Sequence, residues 1–218
     1  MTAIKDKYWQ LRLEKCKAAL ERNKFETFLV ADTAEAHRLI MEQLLPAINP
    51  RSVSWGDSMT LRATGVLEAI REREEINLIE TFAQDTPREL LLERRRQALL
   101  VDLFFTGTNA LTETGKLVNL DMVGNRVAGI AYGPRQVIIT VGRNKLVTEV
   151  EEAMARIKNY AAPLNVMRHS GFKTPCGITS YCQDCASPDR LCNTWMITEK
   201  SYPPGRIKVV LINQEEGL

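Results

Sequence analysis

The chain has no apolar window approaching the ~18 residues that a membrane-spanning helix needs, and no apolar stretch follows Met1–Lys7. The expectation is a protein with no secretory signal and no membrane partner, in the reducing cytoplasm. Charge of one sign is also lacking. Twenty-nine Lys and Arg stand against 27 Asp and Glu, a net +2, so bulk electrostatics make no case for nucleic acid. Neither a Walker phosphate loop nor a G-x-G-x-x-G fingerprint occurs, which removes the two commonest sequence signs of nucleotide binding. No repeat or low-complexity segment is evident. Only two histidines are present. His37 lies among polar neighbours and reads as a surface residue. His169 reads first as a surface or satisfied histidine, with a metal ligand or proton donor as the sharper alternative.

What remains is ordinary for a soluble globular protein: 44% hydrophobic and 26% charged residues in a length that suits one domain, 1–218. Cysteine is rare and unevenly placed. Cys16 sits on the apolar side of an amphipathic helix over residues 4–22 and reads as a core residue. The other four, Cys176, Cys182, Cys185 and Cys192, fall in a C-x5-C-x2-C-x6-C run bounded by Pro175. In a reducing compartment such a cluster points to metal or redox chemistry before structural disulfides. The C-x2-C step lets two sulfurs converge on one centre. A [4Fe–4S] cluster takes four thiolates, and so does a structural zinc ion, although zinc sites usually show two knuckles rather than one. Cluster, zinc and unliganded thiols all stay open at this point.

Ahead of the cysteines, strands and helices alternate. Residues 25–31, 52–55, 77–80 and 101–106 read as strands; 33–45, with Pro46 at its end, and 61–70 and 88–100 read as helices. Residues 107–141 read as more β-rich, with Leu117–Leu120, Val127–Ile130 and Gln136–Val141 as apolar runs, and a helix follows from Thr148 to Tyr160. Alternation of this kind predicts a mainly parallel sheet covered by helices. A boundary is expected near residues 161–163. Beyond it the cysteine-rich segment 170–195 forms a small lobe, followed by strands at 194–198 and 206–212, the last rejoining the main sheet.

Two stretches carry further chemistry. Trp55-Gly56-Asp57-Ser58-Met59-Thr60 is a strand, glycine turn and helix start, where Gly56, Ser58 and Thr60 offer small donors to an anion; a plain helix cap is the simpler reading. The loop leaving the 101–106 strand is rich in Gly, Thr and Asn and holds one acid, Glu113, as candidate base, acid or nucleophile. A hairpin with Glu113 in solvent is the alternative. Arg94-Arg95-Arg96 reads as the solvated face of a helix, with anion or partner binding as the alternative.

With these residues laid out, the sequence resembles the LUD (lactate utilisation) domain family. The resemblance is carried by Thr106–Asn119, Gly124-Asn125-Arg126, Gly133-Pro134, Gln136–Gly142 with Asn144-Lys145, and Trp55–Thr60, and it spans roughly residues 10–212. It implies a Rossmann-like α/β fold of the ribose-5-phosphate isomerase and CoA-transferase type. It also implies a role in lactate or related 2-hydroxy-acid redox metabolism, as an oxidoreductase component working with iron–sulfur partner subunits. By position, Gly56, Ser58 and Thr60 with Gly107, Thr108, Asn109, Asn125 and Arg126 would hold a small anionic substrate. The glutamate motif of the CoA transferases is absent. The cysteine segment resembles that of stand-alone family members. The expectation is a LUD protein with an iron–sulfur cluster on its four C-terminal cysteines. The alternatives are a zinc-stapled sugar-phosphate or acyl-group enzyme, or a non-catalytic accessory subunit. A homo-oligomer is compatible with all three.

Overall fold

Three strands of near-continuous apolar sequence form the centre of the molecule: β4 (Leu103–Gly107), β7 (Gln136–Gly142) and β10 (Ile207–Ile212). Burial on both faces is what such runs require. Around them lie β1 (Glu26–Val30), β2 (Ser52–Trp55) and β3 (Asn77–Ile79), giving a six-stranded sheet in the order β1-β10-β7-β4-β2-β3 with every pairing parallel. The computed structural model describes residues 2–83, 86–169 and 171–218.

Side chains alternate across this sheet, as a two-residue period demands. Leu103, Phe105, Ile138, Val210 and Ile212 enter one core, with the helices of residues 33–48 and 59–71. Phe104, Val137, Ile139, Val141, Val209 and Leu211 enter the other, with Leu13, Cys16 and Leu20 of the first helix, Thr2–Arg22. Cys16 is fully buried there. The first helix differs from its sequence reading in one respect. Trp9, Leu13, Cys16 and Leu20 form its buried face, while Ile4, Tyr8 and Leu11 are exposed.

After β4 the chain crosses into a second sheet. Here β5 (Ala110–Thr112), β6 (Leu117–Asp121), β8 (Leu146–Val147) and β9 (Thr194–Thr198) run in the order β8-β5-β6-β9. A third core lies between this sheet and the helix of residues 150–167, with Ala110, Val118, Leu120, Val147, Ala153 and Ile157. The cysteine segment leaves that helix and returns through β9 to the second sheet; β10 then slots between β1 and β7 of the first.

Three sequence expectations change. The Val127–Ile130 run is helical, within Asn125–Ala131, because Gly124 takes a left-handed conformation and the Asp121 carboxylate accepts the Arg126 amide. Pro46 does not end its helix. Residues 39–44 widen to a π turn, in which the Leu45 amide bonds to the Ile40 carbonyl, and the helix continues to Ile48. Pro163 does the same: residues 157–161 form a π turn, the Ala162 amide bonds to Ile157, and no break occurs at 161–163. Proline has no N–H to give to the carbonyl four residues back, and a π turn absorbs that missing bond.

The β5–β6 turn packs on the first helix at Gly115, where φ is +78° and an added Cβ would lie 2.8 Å from the backbone of Ala19 and Leu20. Helix backbone cannot yield, so Gly115→Ala is expected to destabilise the fold by about 1–3 kcal/mol beyond its backbone strain. Gly124→Ala meets open space at φ +92° and should lose only about 1–2 kcal/mol. Urea unfolding of both variants checks the ranking; equal losses would contradict the packing account.

Candidate functional site

The carboxyl ends of β2 and β4 approach one another without room for side chains. A Cβ on Gly56 would lie 2.9 Å from Thr106 Oγ1, 3.0 Å from Arg126 Cγ and 3.1 Å from Phe104, and one on Gly107 would collide with Ser58 Oγ. Next to this contact the structure encloses a cavity of about 280 Å³, between the two sheets and the helix of residues 150–167. Ligand crevices of open α/β sheets lie at such strand ends.

Of the residues singled out in the sequence, Ser58, Gly107, Thr108, Asn109, Asn125 and Arg126 line the cavity. Ser58 also caps the short helix Met59–Ala63, its Oγ accepting the Leu61 amide. Gly56 supplies the close approach behind the wall, and Thr60 donates its hydroxyl to the Glu216 carbonyl at 3.0 Å. Arg126 is buried with its guanidinium bonded to the protein. It donates to the carbonyls of Gly107 and Leu120 and to the side-chain oxygens of Asn119 and Asn109 at 2.6–3.3 Å, and it faces Asp121 at 3.5 Å. It is a brace between the sheets rather than a free anion hook.

Glu113 is not in the cavity wall. It is held by Arg12, whose Nε donates at 2.6 Å, and by Lys15 at 3.2 Å, both on the first helix. Partial burial works against its charge, but the hydrogen bonds from Arg12 and Lys15 hold its carboxyl below the usual range. A tightly paired carboxylate serves poorly as a base or nucleophile, and the geometry gives Glu113 a role in packing.

The sequence reading missed several lining residues. Arg95, read as part of a solvated face, lines the cavity with its guanidinium 4.9 Å from the Phe82 ring, and its buried Nε has no hydrogen-bond partner among the described residues. Lys145, noticed only within the family resemblance, is buried in the wall and donates to the Thr108 carbonyl at 3.3 Å. Burial first, then the cations Arg156 and Arg126, push its pKa down to about 7, opposed by Glu216. Its sequence signal was a lysine set directly between the apolar strands β7 and β8. Arg168 pairs with Asp57 across the cavity mouth and bonds Asn165. The cavity's two acids are therefore both matched, Asp57 by Arg168 and Asp121 by Arg126, while Arg95 and Lys145 have no carboxylate partner among the described residues. His169 also lines the wall, stacked edge-on against Phe172. Burial and then Arg168 lower its pKa.

All four clustered cysteines line one adjoining pocket of about 20 Å³, with Lys158, Asp184 and Arg190. All are free thiols. The Asp184 amide donates to Cys182 Sγ at 3.4 Å, and Thr174 Oγ1 lies 3.2 Å from Cys176 Sγ. Arg190 ties the loop by donating to the carbonyls of Cys185 and Cys192. Among the described residues, no group of three or more His, Cys, Asp or Glu side chains is arranged to hold a metal ion. The donors are gathered but not closed into a ligand set. Leu191 and Cys192 line both the cysteine pocket and the larger cavity. Burial raises the Cys192 thiol pKa, helped by Cys182 and Cys176 and opposed by Lys158 and Arg190.

The model of the LUD domain matches residues 13–212. The chain belongs to the LUD domain family. Membership supports a role related to lactate utilisation. A crystal structure of a DUF162 family protein from Deinococcus radiodurans is similar in fold, with a TM-score of 0.53 over 94% of this chain and 98% of that one at 13% identity. No curated protein matches the chain. The mostly parallel sheet flanked by helices is the Rossmann-like α/β fold expected of a LUD protein. Among the described residues, no helix is long and apolar enough to cross a membrane.

Two outcomes follow from this geometry. Arg126→Met takes one donor from each of four acceptors and the counter-charge from the partly buried Asp121, and should cost about 3–5 kcal/mol; Arg126→Lys should restore little because an ammonium lacks the planar fork. Urea midpoints for the two variants measure this. For Lys145, the folded pKa of about 7 lies below the ordinary lysine value of 10.5. The unfolded chain therefore binds more protons between those values, and stability from this group rises with pH across that window. The pH–stability curve of Lys145→Met should lack that rise, so subtracting it from the wild-type curve isolates it; parallel curves would show an ordinary, charged lysine.

Proposed function

We propose that this LUD-family protein binds a small 2-hydroxy or 2-oxo acid in the cavity between its sheets and carries a thiolate-bound metal centre at the cavity rim, acting in hydroxy-acid redox metabolism. The observation that carries the anion reading is the charge balance of the wall. Asp57 and Asp121 are each matched by an arginine, and Arg95 is left with a buried, unpartnered Nε. A half-buried guanidinium with a free Nε donor is a receptor for a carboxylate. Ser58, Asn109 and Asn125 supply neutral hydrogen-bonding groups beside it.

The metal reading rests on Cys176, Cys182, Cys185 and Cys192 lining one pocket. An amide donating to a sulfur, as Asp184 does to Cys182, stabilises a thiolate and is a common outer-shell feature of cysteine metal sites. A [4Fe–4S] cluster held by these four residues would supply one-electron transfer. A single tetrahedral zinc ion is the second reading, and a specific observation favours it: the pocket that the cysteines help to line is about 20 Å³, roughly one water's worth. Either centre requires the thiols to close into a ligand set, and one ion asks for the smaller rearrangement.

Anaerobic purification with metal analysis separates these. About four irons per chain with broad absorption near ~400 nm supports the cluster, and one colourless zinc supports the single ion. Cys182→Ser with Cys185→Ser should strip either. Unchanged metal content in that variant, or a metal-free wild type, contradicts the centre. For the cavity, calorimetry with L-lactate and pyruvate should show binding that Arg95→Met weakens by about tenfold or more, while Glu113→Gln leaves it unchanged. Equal affinities in wild type and Arg95→Met would contradict the site.

A further inference from the structure

Lys145 has no part in anion binding or metal ligation as described above, and its surroundings are unusual for a lysine. The Nζ is enclosed. Its one printed hydrogen bond runs to the Thr108 carbonyl at 3.3 Å, and the Gly217 backbone closes over it, so near that a Cβ there would stand 3.0 Å from Nζ. An ammonium has three hydrogens to place, and among the described residues no carboxylate forms an ion pair with this one. Arg126 and Arg156 are the charged neighbours on the cavity side, and both disfavour a further positive charge; Glu216 is the single acid acting on it, through space. Burying an unpaired ammonium is expensive, and the enclosure of Nζ beside two cations favours loss of its proton. The wall therefore offers a primary amine that deprotonates far more readily than a surface lysine. A desolvated lysine beside other cations is the standard arrangement for an amine nucleophile.

We propose that Lys145 is a carbonyl-reactive lysine, condensing through Nζ with the ketone of a 2-oxo acid held in the cavity to form a reversible imine. The inference rests on the cavity reading above and extends it from binding to covalent capture. In the step, the Nζ lone pair attacks C2 and the carbonyl π pair moves to oxygen. A proton passes from nitrogen to that oxygen through solvent, giving a carbinolamine. The hydroxyl takes a second proton from solvent and leaves as water while the nitrogen lone pair forms the C=N bond; the iminium N–H then returns one proton to solvent, giving the imine. One water is released and no electrons change hands, so no oxidant or reductant is needed. Thr108, whose carbonyl accepts from Nζ, follows Gly107 at the end of β4 and so fixes the amine to the central sheet. A 2-hydroxy acid has no ketone at C2 and would bind without reacting, so the same lysine discriminates between the reduced and oxidised forms of one substrate pair.

The test is reductive trapping on the full chain. The protein is incubated with pyruvate and cyanoborohydride, then measured by intact mass and peptide mapping, with calorimetry of pyruvate binding run in parallel. The expected result is one reduced adduct per chain on Lys145, suppressed by excess L-lactate and lost in Lys145→Arg. Because the wild type itself is mapped, a variant that fails to fold does not blunt the test. Pyruvate binding without an adduct on Lys145, or labelling spread over surface lysines, overturns the imine and leaves the cavity reading standing. Neither binding nor adduct overturns both.

Discussion

The guanidinium of Arg126 is the interaction on which the rest of the site depends. It reaches from the helix Asn125–Ala131 to the Gly107 carbonyl at the end of the first sheet, to Asn109 in the crossing, and to Asn119 and Leu120 in the second sheet. One planar group thereby fixes the angle at which the chain passes between sheets. Such a brace demands space around it. That is why position 56 is glycine, with the Arg126 stem 3.0 Å from where a Cβ would be. It also buries a positive charge at the cavity wall, held by Asp121 and by carbonyl and amide oxygens, the only inexpensive way to keep an arginine out of water.

The electrostatics of the cavity follow from that brace. With Asp121 facing Arg126 and Asp57 facing Arg168, no carboxylate among the described residues forms an ion pair with Arg95 or Lys145; Asp121 and Asp57 act on Arg95, and Glu216 on Lys145, only through space. Arginine stays charged, since its pKa is too high to escape by deprotonation. Lysine gives up its proton far more readily than it would in water. The same burial thus yields two different chemical tools, an anion receptor and an amine. The cysteine lobe adds a third beside them, because Leu191 and Cys192 belong to both walls and Cys192 also packs against the core of the second sheet.

Much of the fold was legible in the sequence. The apolar runs of β4, β7 and β10 announced buried parallel strands, and the return of the last strand to the main sheet could be read from its β-branched character. The two prolines misled because apolar periodicity reports burial, not the register of backbone bonds; the π turns that carry the chain through Pro46 and Pro163 leave no residue-type signal. Val127–Ile130 looked extended because valine and isoleucine suit strands, and the local bond from the Arg126 amide to the Asp121 carboxylate, with the left-handed turn at Gly124, decided otherwise. At the site, Ser58, Thr108, Asn109 and Asn125, singled out near strand ends, line the cavity, since turn chemistry is local; Gly56 and Thr60 do not. Charged residues were harder to read, Arg126 apart. Glu113 looked free and is clamped by a helix about a hundred residues earlier in the chain, whereas Arg95 looked solvated and lines the cavity. The partner of a charge is a tertiary fact, and one sequence does not carry it.

The central claim is that the cavity and the cysteine pocket are one site, joined at Cys192. Loading the four clustered cysteines with cobalt(II) would give a thiolate-to-metal absorption sensitive to any movement of that ligand. Titration of the cobalt form with L-lactate and pyruvate is predicted to change the absorption saturably, at the same concentrations at which calorimetry registers binding. An unchanged spectrum with the acid bound would contradict the claim and make the cysteine lobe a separate structural element.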